Sequence, residues 1–134
     1  MAKILLIETA TEVCSVAIAV NGAVVALEEA PDSLNHAALL TLQISRCAQQ
    51  SGLALSELDA VAVSAGPGSY TSLRVGVSVA KGLCYALNKP LIAVDTLLAL
   101  AMAGKPPVKT DSKGEDGHLF FLPMIDARRN EVWT

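Results

Sequence analysis

Glycines and hydroxyl side chains are concentrated in one short segment, Ser64-Ala65-Gly66-Pro67-Gly68-Ser69-Tyr70-Thr71. Glycines let backbone N–H groups approach an anion, and the N-terminus of a following helix adds partial positive charge. The residues that could contact a phosphate are Gly66, Gly68, Ser69 and Thr71. The segment lacks the lysine of a Walker A loop and the spacing of G-x-G-x-x-G. A tight strand-to-helix turn without a ligand therefore stays open as the alternative.

Glu8 and Thr9 follow the first apolar run of the chain, Ile4-Leu5-Leu6-Ile7. In α/β sheets the ligand crevice forms where strands end. Glu8 and Thr9 could hold a metal-bound nucleotide through a carboxylate and a hydroxyl. The alternative is a solvated turn in which the threonine hydroxyl bonds its own backbone.

The histidines give no pattern that is typical of a hydrolase. His36 and His118 lie far apart in the sequence, and neither belongs to an H-E-x-x-H motif. No G-x-S-x-G elbow is present. We expect both histidines at the surface, and a metalloprotease is disfavoured.

The composition predicts a well-packed globular chain. Of 134 residues, 52% are hydrophobic and 17% are charged, which disfavours disorder. The net charge of −3, without a basic tract, gives no support for direct nucleic-acid binding. Cys14, Cys47 and Cys84 are odd in number and scattered, as expected of reduced thiols. No signal-peptide core or long apolar run is evident, so we expect a cytoplasmic protein without a membrane segment.

The apolar pattern predicts the element order βββαβαβα, with a mixed sheet flanked by helices. Residues 13–20 and 23–28 flank Asn21-Gly22, which is the strongest short-range signal for a β-hairpin. The predicted elements are strands at 4–7, 13–20, 23–28, 60–63 and 91–94, a helix over about 33–51 with Ser33 as a possible N-cap, a second helix from Ser69 to about Asn88, and a short third helix that Thr96 could cap and Gly104 would end.

The chain divides into three segments by composition. Residues 1–104 are predicted to form one domain, and the polar, turn-rich residues 105–118 a linker or exposed loop. Within residues 119–134, Ile125-Asp126-Ala127 weakly repeats Ile7-Glu8-Thr9. The repeat predicts that 119–134 is the opening hairpin of a truncated second domain, with a chance match as the alternative.

The second predicted helix is apolar on two sides and unusually rich in small residues. Two series recur four apart: Ser72, Gly76 and Ala80, and Ser78, Gly82 and Ala86. Each glycine costs a helix about 1 kcal/mol relative to alanine, so close approach of a neighbour should offset it. Either the sheet covers both apolar sides, or one side meets the sheet and the other meets a second protein.

Three stretches of the sequence resemble the TsaB (YeaZ) family: residues 4–18, 65–76 and 125–133. The resemblance runs in order across the whole chain. It implies the actin-like ATPase fold, a ribonuclease H-like fold shared with sugar kinases and Hsp70. It also implies that residues 1–104 are the N-terminal actin-like domain.

The resemblance implies an accessory role in forming threonylcarbamoyladenosine in tRNA, at the adenosine adjacent to the anticodon. Family members pair with the paralogue TsaD, which carries the transfer chemistry, and with the ATPase TsaE. Alone they form homodimers, and they reach tRNA only through the complex. TsaD-like proteins bind a metal through a His-x-x-x-His helix, but Thr96 and Leu100 stand at the matching positions here. The resemblance therefore implies a non-catalytic subunit with no metal and no tightly bound cofactor, and with ATP or ADP at the complex interface.

The resemblance also implies that the first two long helices form the partner surface. The residues assigned to that surface are Leu39, Leu42, Arg74, Val75, Ser78, Val79, Lys81, Gly82 and Tyr85. Two residues depart from the family pattern: Glu8 stands where Asp is more usual, and Ser72 where Gly is usual.

Two other functions stay open. One is an ATP-dependent kinase or ATPase of the same fold, in which Glu8 and the loop Gly66–Ser69 hold phosphates. The other is a self-associating module with no role in tRNA modification.

Overall fold

The computed structural model describes residues 1–31, 36–104 and 121–134. The chain opens with three antiparallel strands, β1 (Lys3–Glu8), β2 (Cys14–Val20) and β3 (Ala23–Ala30). Asn21 and Gly22 join β2 to β3 with φ of 52° and 81°. These positive values are those of the tight hairpin turn that the Asn-Gly pair predicts.

The remaining elements of the larger unit alternate between helix and strand. They are α1 (His36–Ser51), a 3₁₀ turn (Leu55–Glu57), β4 (Ala60–Gly66), α2 (Tyr70–Leu87), β5 (Leu91–Asp95) and α3 (Thr96–Ala103). The predicted order βββαβαβα is confirmed. The predicted linker at 105–118, Ser33 as N-cap and His118 lie outside the described residues.

The five strands form one mixed sheet in the order β3-β2-β1-β4-β5. β1, β4 and β5 run parallel, with Ile7 opposite Val63 and Val63 opposite Ala93. The carboxyl ends of these three strands therefore meet at one edge, where Glu8, Ser64 and Asp95 lie. This edge is the ligand position expected of α/β sheets.

The main core lies between the sheet and the helices α1 and α2. Alternate residues of β1, β2 and β4 point to these helices, as the period of two in a strand requires. The buried side chains of this core include Leu5, Ile7, Val16, Ile18, Val61 and Val63 from the sheet, and Leu40, Ile44, Cys47, Ala80 and Cys84 from the helices.

Two details of the helices differ from expectation. Asp95, rather than Thr96, caps α3, because its carboxylate accepts a hydrogen bond from the N–H of Leu98 at 2.8 Å. His36 is buried, not at the surface, with only 5% of its area exposed. Gly104 ends α3 as predicted.

A separate two-stranded sheet closes the chain. Its strands are β6 (Ile125–Arg128) and β7 (Glu131–Trp133), which pair antiparallel. The hairpin lies within the predicted segment 119–134, and its assignment to a second domain stays a prediction. Among the described helices, none combines the length and apolarity needed to cross a membrane.

Candidate functional site

Glu8 connects the ends of β1 and β4. One oxygen of its carboxylate, Oε2, accepts a hydrogen bond from the hydroxyl of Ser64. The other, Oε1, accepts the N–H of Ala10 at 2.7 Å. The carboxylate therefore stabilises both the junction of two parallel strands and the turn that follows β1.

Ala10 in turn connects this turn to the glycine loop. Its carbonyl oxygen accepts the N–H of Ser69 at 2.8 Å. A Cβ on Gly68 would lie 2.5 Å from the same oxygen, and Gly68 has a φ of +158°. Only glycine fits this approach of the loop to the turn, because a side chain would overlap the Ala10 backbone.

Thr9 lies beneath helix α2. Its hydroxyl is fully buried and has no hydrogen-bond partner within the described part of the chain. A Cβ on Gly76 would overlap Thr9 Oγ1. Gly76 therefore allows α2 to pack directly on the turn after β1.

The structure brings five of the six predicted phosphate-contacting residues together: Glu8, Thr9, Gly66, Gly68 and Ser69. Thr71 lies in the first turn of α2 and lines a groove next to α1 instead. As arranged, the Glu8 carboxylate and the Ser69 N–H are engaged within the chain. Phosphate binding at these residues stays a prediction. No cluster of three or more potential metal ligands occurs in 1–31, 36–104 or 121–134.

A second candidate site is the surface formed by α1 and α2. Two grooves run between the helices, with volumes of about 580 Å³ and 430 Å³. Val79 lines both grooves, so the two grooves adjoin at this side chain. We call these grooves, together with the outward side of α2, the α1–α2 surface.

The predicted partner residues do not all line these two grooves. Arg74, Val75, Ser78 and Val79 line the smaller groove. Lys81, Gly82 and Tyr85 are exposed on α2. Leu39 and Leu42 line neither groove, although Leu42 is 45% exposed. Assignment of the nine residues to a partner interface stays a prediction.

The α1 residues that line the larger groove were not among the residues predicted from the sequence. The α1 residues that line it are Thr41, Ile44, Ser45, Ala48 and Gln49, and α2 adds Val79 and Leu83. The sequence pattern could have indicated this face of α1, because Thr41, Ile44 and Ala48 recur at three- and four-residue spacing.

Gly82 differs from Gly76 in its surroundings. Among the residues that the structure describes, no atom lies within 4 Å of a Cβ placed on Gly82, apart from its own helix and chain neighbours. The sheet therefore explains Gly76 but not Gly82. Nearby, Tyr85 is 92% exposed, and the guanidinium of Arg74 lies 5.4 Å from the centre of the Tyr70 ring.

Buried polar groups attach α1 to β2. The amide of Gln43 donates to the carbonyl of Cys14 at 3.0 Å and accepts from the Cys14 thiol at 3.1 Å. The thiol of Cys47 donates to the carbonyl of Val16. Burial raises the pKa of Cys14, and the negative charge of Glu8 raises that pKa further. These thiols stay protonated and are poor nucleophiles.

The strand order and the packing of helices on the sheet define an α/β protein of the actin-like ATPase class. A family model described as TsaD, tRNA N6-adenosine threonylcarbamoyltransferase, matches residues 30–134. The chain belongs to the family that this model describes, and within it the chain is similar to proteins named TsaB and YeaZ.

Curated relatives named tRNA threonylcarbamoyladenosine biosynthesis protein TsaB match over nearly the whole chain. The Haemophilus influenzae protein is 33% identical over 97% of this chain and 51% of its own length. The Escherichia coli protein is 35% identical over 98% of this chain and 53% of its own length. The chain therefore spans about half the length of these relatives.

A solved structure from Pseudomonas aeruginosa, described as similar to peptidase YeaZ, has the same fold. It superposes with a TM-score of 0.73 at 35% identity, covering 77% of this chain and 47% of that one. The resemblance to the TsaB (YeaZ) family and the predicted fold class are thus confirmed.

Proposed function

We propose that this chain belongs to a non-catalytic accessory subunit that pairs with a TsaD-type enzyme. The reaction served is threonylcarbamoyl transfer to the tRNA adenosine adjacent to the anticodon. The names of the TsaB relatives support a role in threonylcarbamoyladenosine biosynthesis. They give no support to the alternative of a small-molecule kinase.

The observation that carries the pairing is the exposed Gly82 on α2, beside the two adjoining grooves of the α1–α2 surface. Glycine in a helix interior costs about 1 kcal/mol relative to alanine, and nothing in the described part of the chain packs close to Gly82. Close approach of a second backbone offsets such a cost. Val75 and Val79 beside it supply apolar area for that contact.

The accessory role is supported by the chemistry of the residues that replace the TsaD metal ligands. Thr96 is buried as the first residue of α3, and Leu100 is 45% exposed one turn later. Neither side chain offers an imidazole, so this helix cannot hold a metal as a His-x-x-x-His helix does. The transfer chemistry is assigned to the TsaD-type partner.

Nucleotide binding is assigned to the complex and not to this chain alone. The Glu8 carboxylate accepts hydrogen bonds from the Ser64 hydroxyl and the Ala10 N–H, and the Ser69 N–H donates to the Ala10 carbonyl. In this arrangement Glu8 is not free to hold a metal-bound nucleotide, and the Ser69 N–H is not free to meet a phosphate. ATP or ADP is therefore proposed at the interface formed with the partner, with no cofactor held tightly by the subunit.

The remaining assignments follow from the same role. A TsaE-type ATPase is proposed as a further partner, and tRNA is reached through the complex. A homodimer is proposed when the paralogue is missing. The proposed location is the cytoplasm, where tRNA is modified.

The test is reconstitution of the tRNA modification from the protein, its TsaD-type paralogue and a TsaE-type ATPase. Gly82→Glu should abolish modification, because a charged side chain would replace the space left for the partner. Val24→Glu is the matched control, since Val24 is 59% exposed on β3, away from the α1–α2 surface. Equal activity of the two variants would contradict the proposal. Modification by this protein without the paralogue would contradict the non-catalytic role.

A further inference from the structure

The two long helices differ in charge from the rest of the protein. The chain carries 13 acidic and 10 basic residues. Yet the α1 and α2 sequences contain no Asp or Glu, and their Lys and Arg residues are Arg46, Arg74 and Lys81. The α1–α2 surface is therefore positive on a protein whose net charge is −3.

Two of these cations, Arg74 and Lys81, have no carboxylate partner among the residues that the structure describes. Arg46 lies 3.8 Å from Glu28 of β3, so its charge is partly compensated. Within the described ranges, Arg74 and Lys81 form no ion pair with any carboxylate. Both are exposed on α2 and lie seven residues apart, which places them on one side about 10 Å from each other.

We propose that the α1–α2 surface selects a partner protein that presents carboxylates to Arg74 and Lys81, and that the same charges disfavour a second copy of this chain. The inference rests on the pairing proposed above and adds the chemistry of the partner. Apolar contact at Val75 and Val79 provides the area, and the two cations provide the selectivity.

A second copy is disfavoured by symmetry. A two-fold dimer through this surface places Arg74 and Lys81 of both copies in one contact, since both subunits use the same patch. Neither α1 nor α2 supplies a carboxylate to that contact. At about 0.1 M salt the screening length is about 10 Å, so cations within one interface still repel each other.

An RNA partner is disfavoured by the composition of the surface. The residues between the helices are largely apolar or small, as at Val79, Leu83 and Ala48. Arg74 and Lys81 would neutralise about two phosphates, fewer than the roughly 6–10 phosphate contacts of a strongly salt-dependent nucleic-acid site.

Salt should have opposite effects on the two complexes, because charge attraction favours the heterodimer and charge repulsion disfavours the homodimer. Dissociation constants are measured at about 50 mM and about 500 mM NaCl, for the protein with its TsaD-type paralogue and for the protein alone. We expect salt to weaken the heterodimer severalfold and to strengthen the homodimer. A heterodimer that is indifferent to salt or strengthened by it would overturn the charge inference while leaving the pairing intact. Absence of a heterodimer at every salt concentration would instead overturn the proposed function.

Reversing the charge of Lys81 tests whether the salt effect depends on this position of α2. Lys81→Glu should weaken the heterodimer about tenfold and strengthen the homodimer, because the new carboxylate of one copy would meet Arg74 of the other. Lys89→Glu, which lies beyond the end of α2, gives the same net charge and should leave both constants nearly unchanged. Equal effects of the two variants would overturn the inference. So would RNA binding, probed with a tRNA transcript, that Lys81→Glu abolishes while the heterodimer is unaffected.

Discussion

Gly76 of α2 lies so close to Thr9 that a side chain on Gly76 would overlap the Thr9 hydroxyl. The backbone of the helix thus packs directly on the turn after β1. This contact fixes one side of α2 against the sheet and leaves the side with Ser78 and Gly82 facing outward. The geometry of the α1–α2 surface therefore depends on a glycine that the surface does not contain.

Alanine at the two glycines of α2 should have opposite effects. Gly76→Ala should lower the free energy of unfolding by about 1–3 kcal/mol, because the new methyl group has no room beside Thr9. Gly82→Ala should raise it by up to about 1 kcal/mol, since no described residue packs near this position and alanine favours the helix. Urea denaturation measures both. Equal destabilisation by the two substitutions would contradict the packing described for α2.

The hydrogen bond between Ser64 and Glu8 should stabilise the edge where β1 and β4 end. Ser64→Ala leaves a half-buried carboxylate oxygen without this donor, at a cost of about 1–3 kcal/mol. Ser15, opposite Glu8 on β2, is the matched control, because its hydroxyl makes no hydrogen bond within the ranges described. Chemical denaturation should show Ser15→Ala as nearly neutral. A loss of the same size in both variants would refute a specific role for Ser64.

The sequence predicted most of the fold because the local turn and strand patterns agree with the packing of the folded chain. Asn21-Gly22 set the β2–β3 turn, and the apolar runs of β1 and β4 matched strands that are buried in the sheet. The cap of α3 was misassigned because Asp95 and Thr96 are adjacent and both side chains can cap a helix. Only the backbone conformation, with Asp95 extended and Thr96 helical, decides between them.

Gln43 should be one of the residues that hold α1 on the sheet. Gln43→Leu removes the partner of the Cys14 carbonyl and thiol and should cost about 1–3 kcal/mol. Gln49→Leu, an exposed position of the same helix, should change stability by less than about 0.5 kcal/mol. Thermal unfolding of the two variants provides the comparison. A nearly neutral Gln43→Leu would show that these buried hydrogen bonds add little.

Protein stability should decrease in alkaline solution because the thiols are buried. Burial raises the pKa of Cys14, Cys47 and Cys84 above that of an exposed thiol, so the unfolded chain loses these protons first. The resulting stabilisation is fully present below the pKa of an exposed thiol, about 8.5, and is lost as the pH rises through the higher folded pKa values. Denaturation of the wild type and of Cys14→Ala at pH 8 and pH 10 isolates the contribution of one thiol. An identical pH dependence of stability in the two proteins would contradict a contribution from the buried Cys14 thiol.

The candidate sites were predictable only in part. The clustering of Glu8, Thr9 and the glycine loop followed from the parallel strand ends, but the engagement of Ser69 by Ala10 depends on loop geometry. His36 could have been found, because it continues the buried series Leu40, Ile44 and Cys47 of α1. The pairing of Arg46 with Glu28 joins α1 to β3, a contact that sequence spacing does not reveal.

Pairing through the α1–α2 surface is tested most directly by the light-scattering mass of the protein alone and mixed with its TsaD-type paralogue. We expect a one-to-one heterodimer in the mixture, and its loss in Gly82→Glu but not in Val24→Glu. A mass unchanged by the paralogue, or a heterodimer that Gly82→Glu leaves intact, would contradict it.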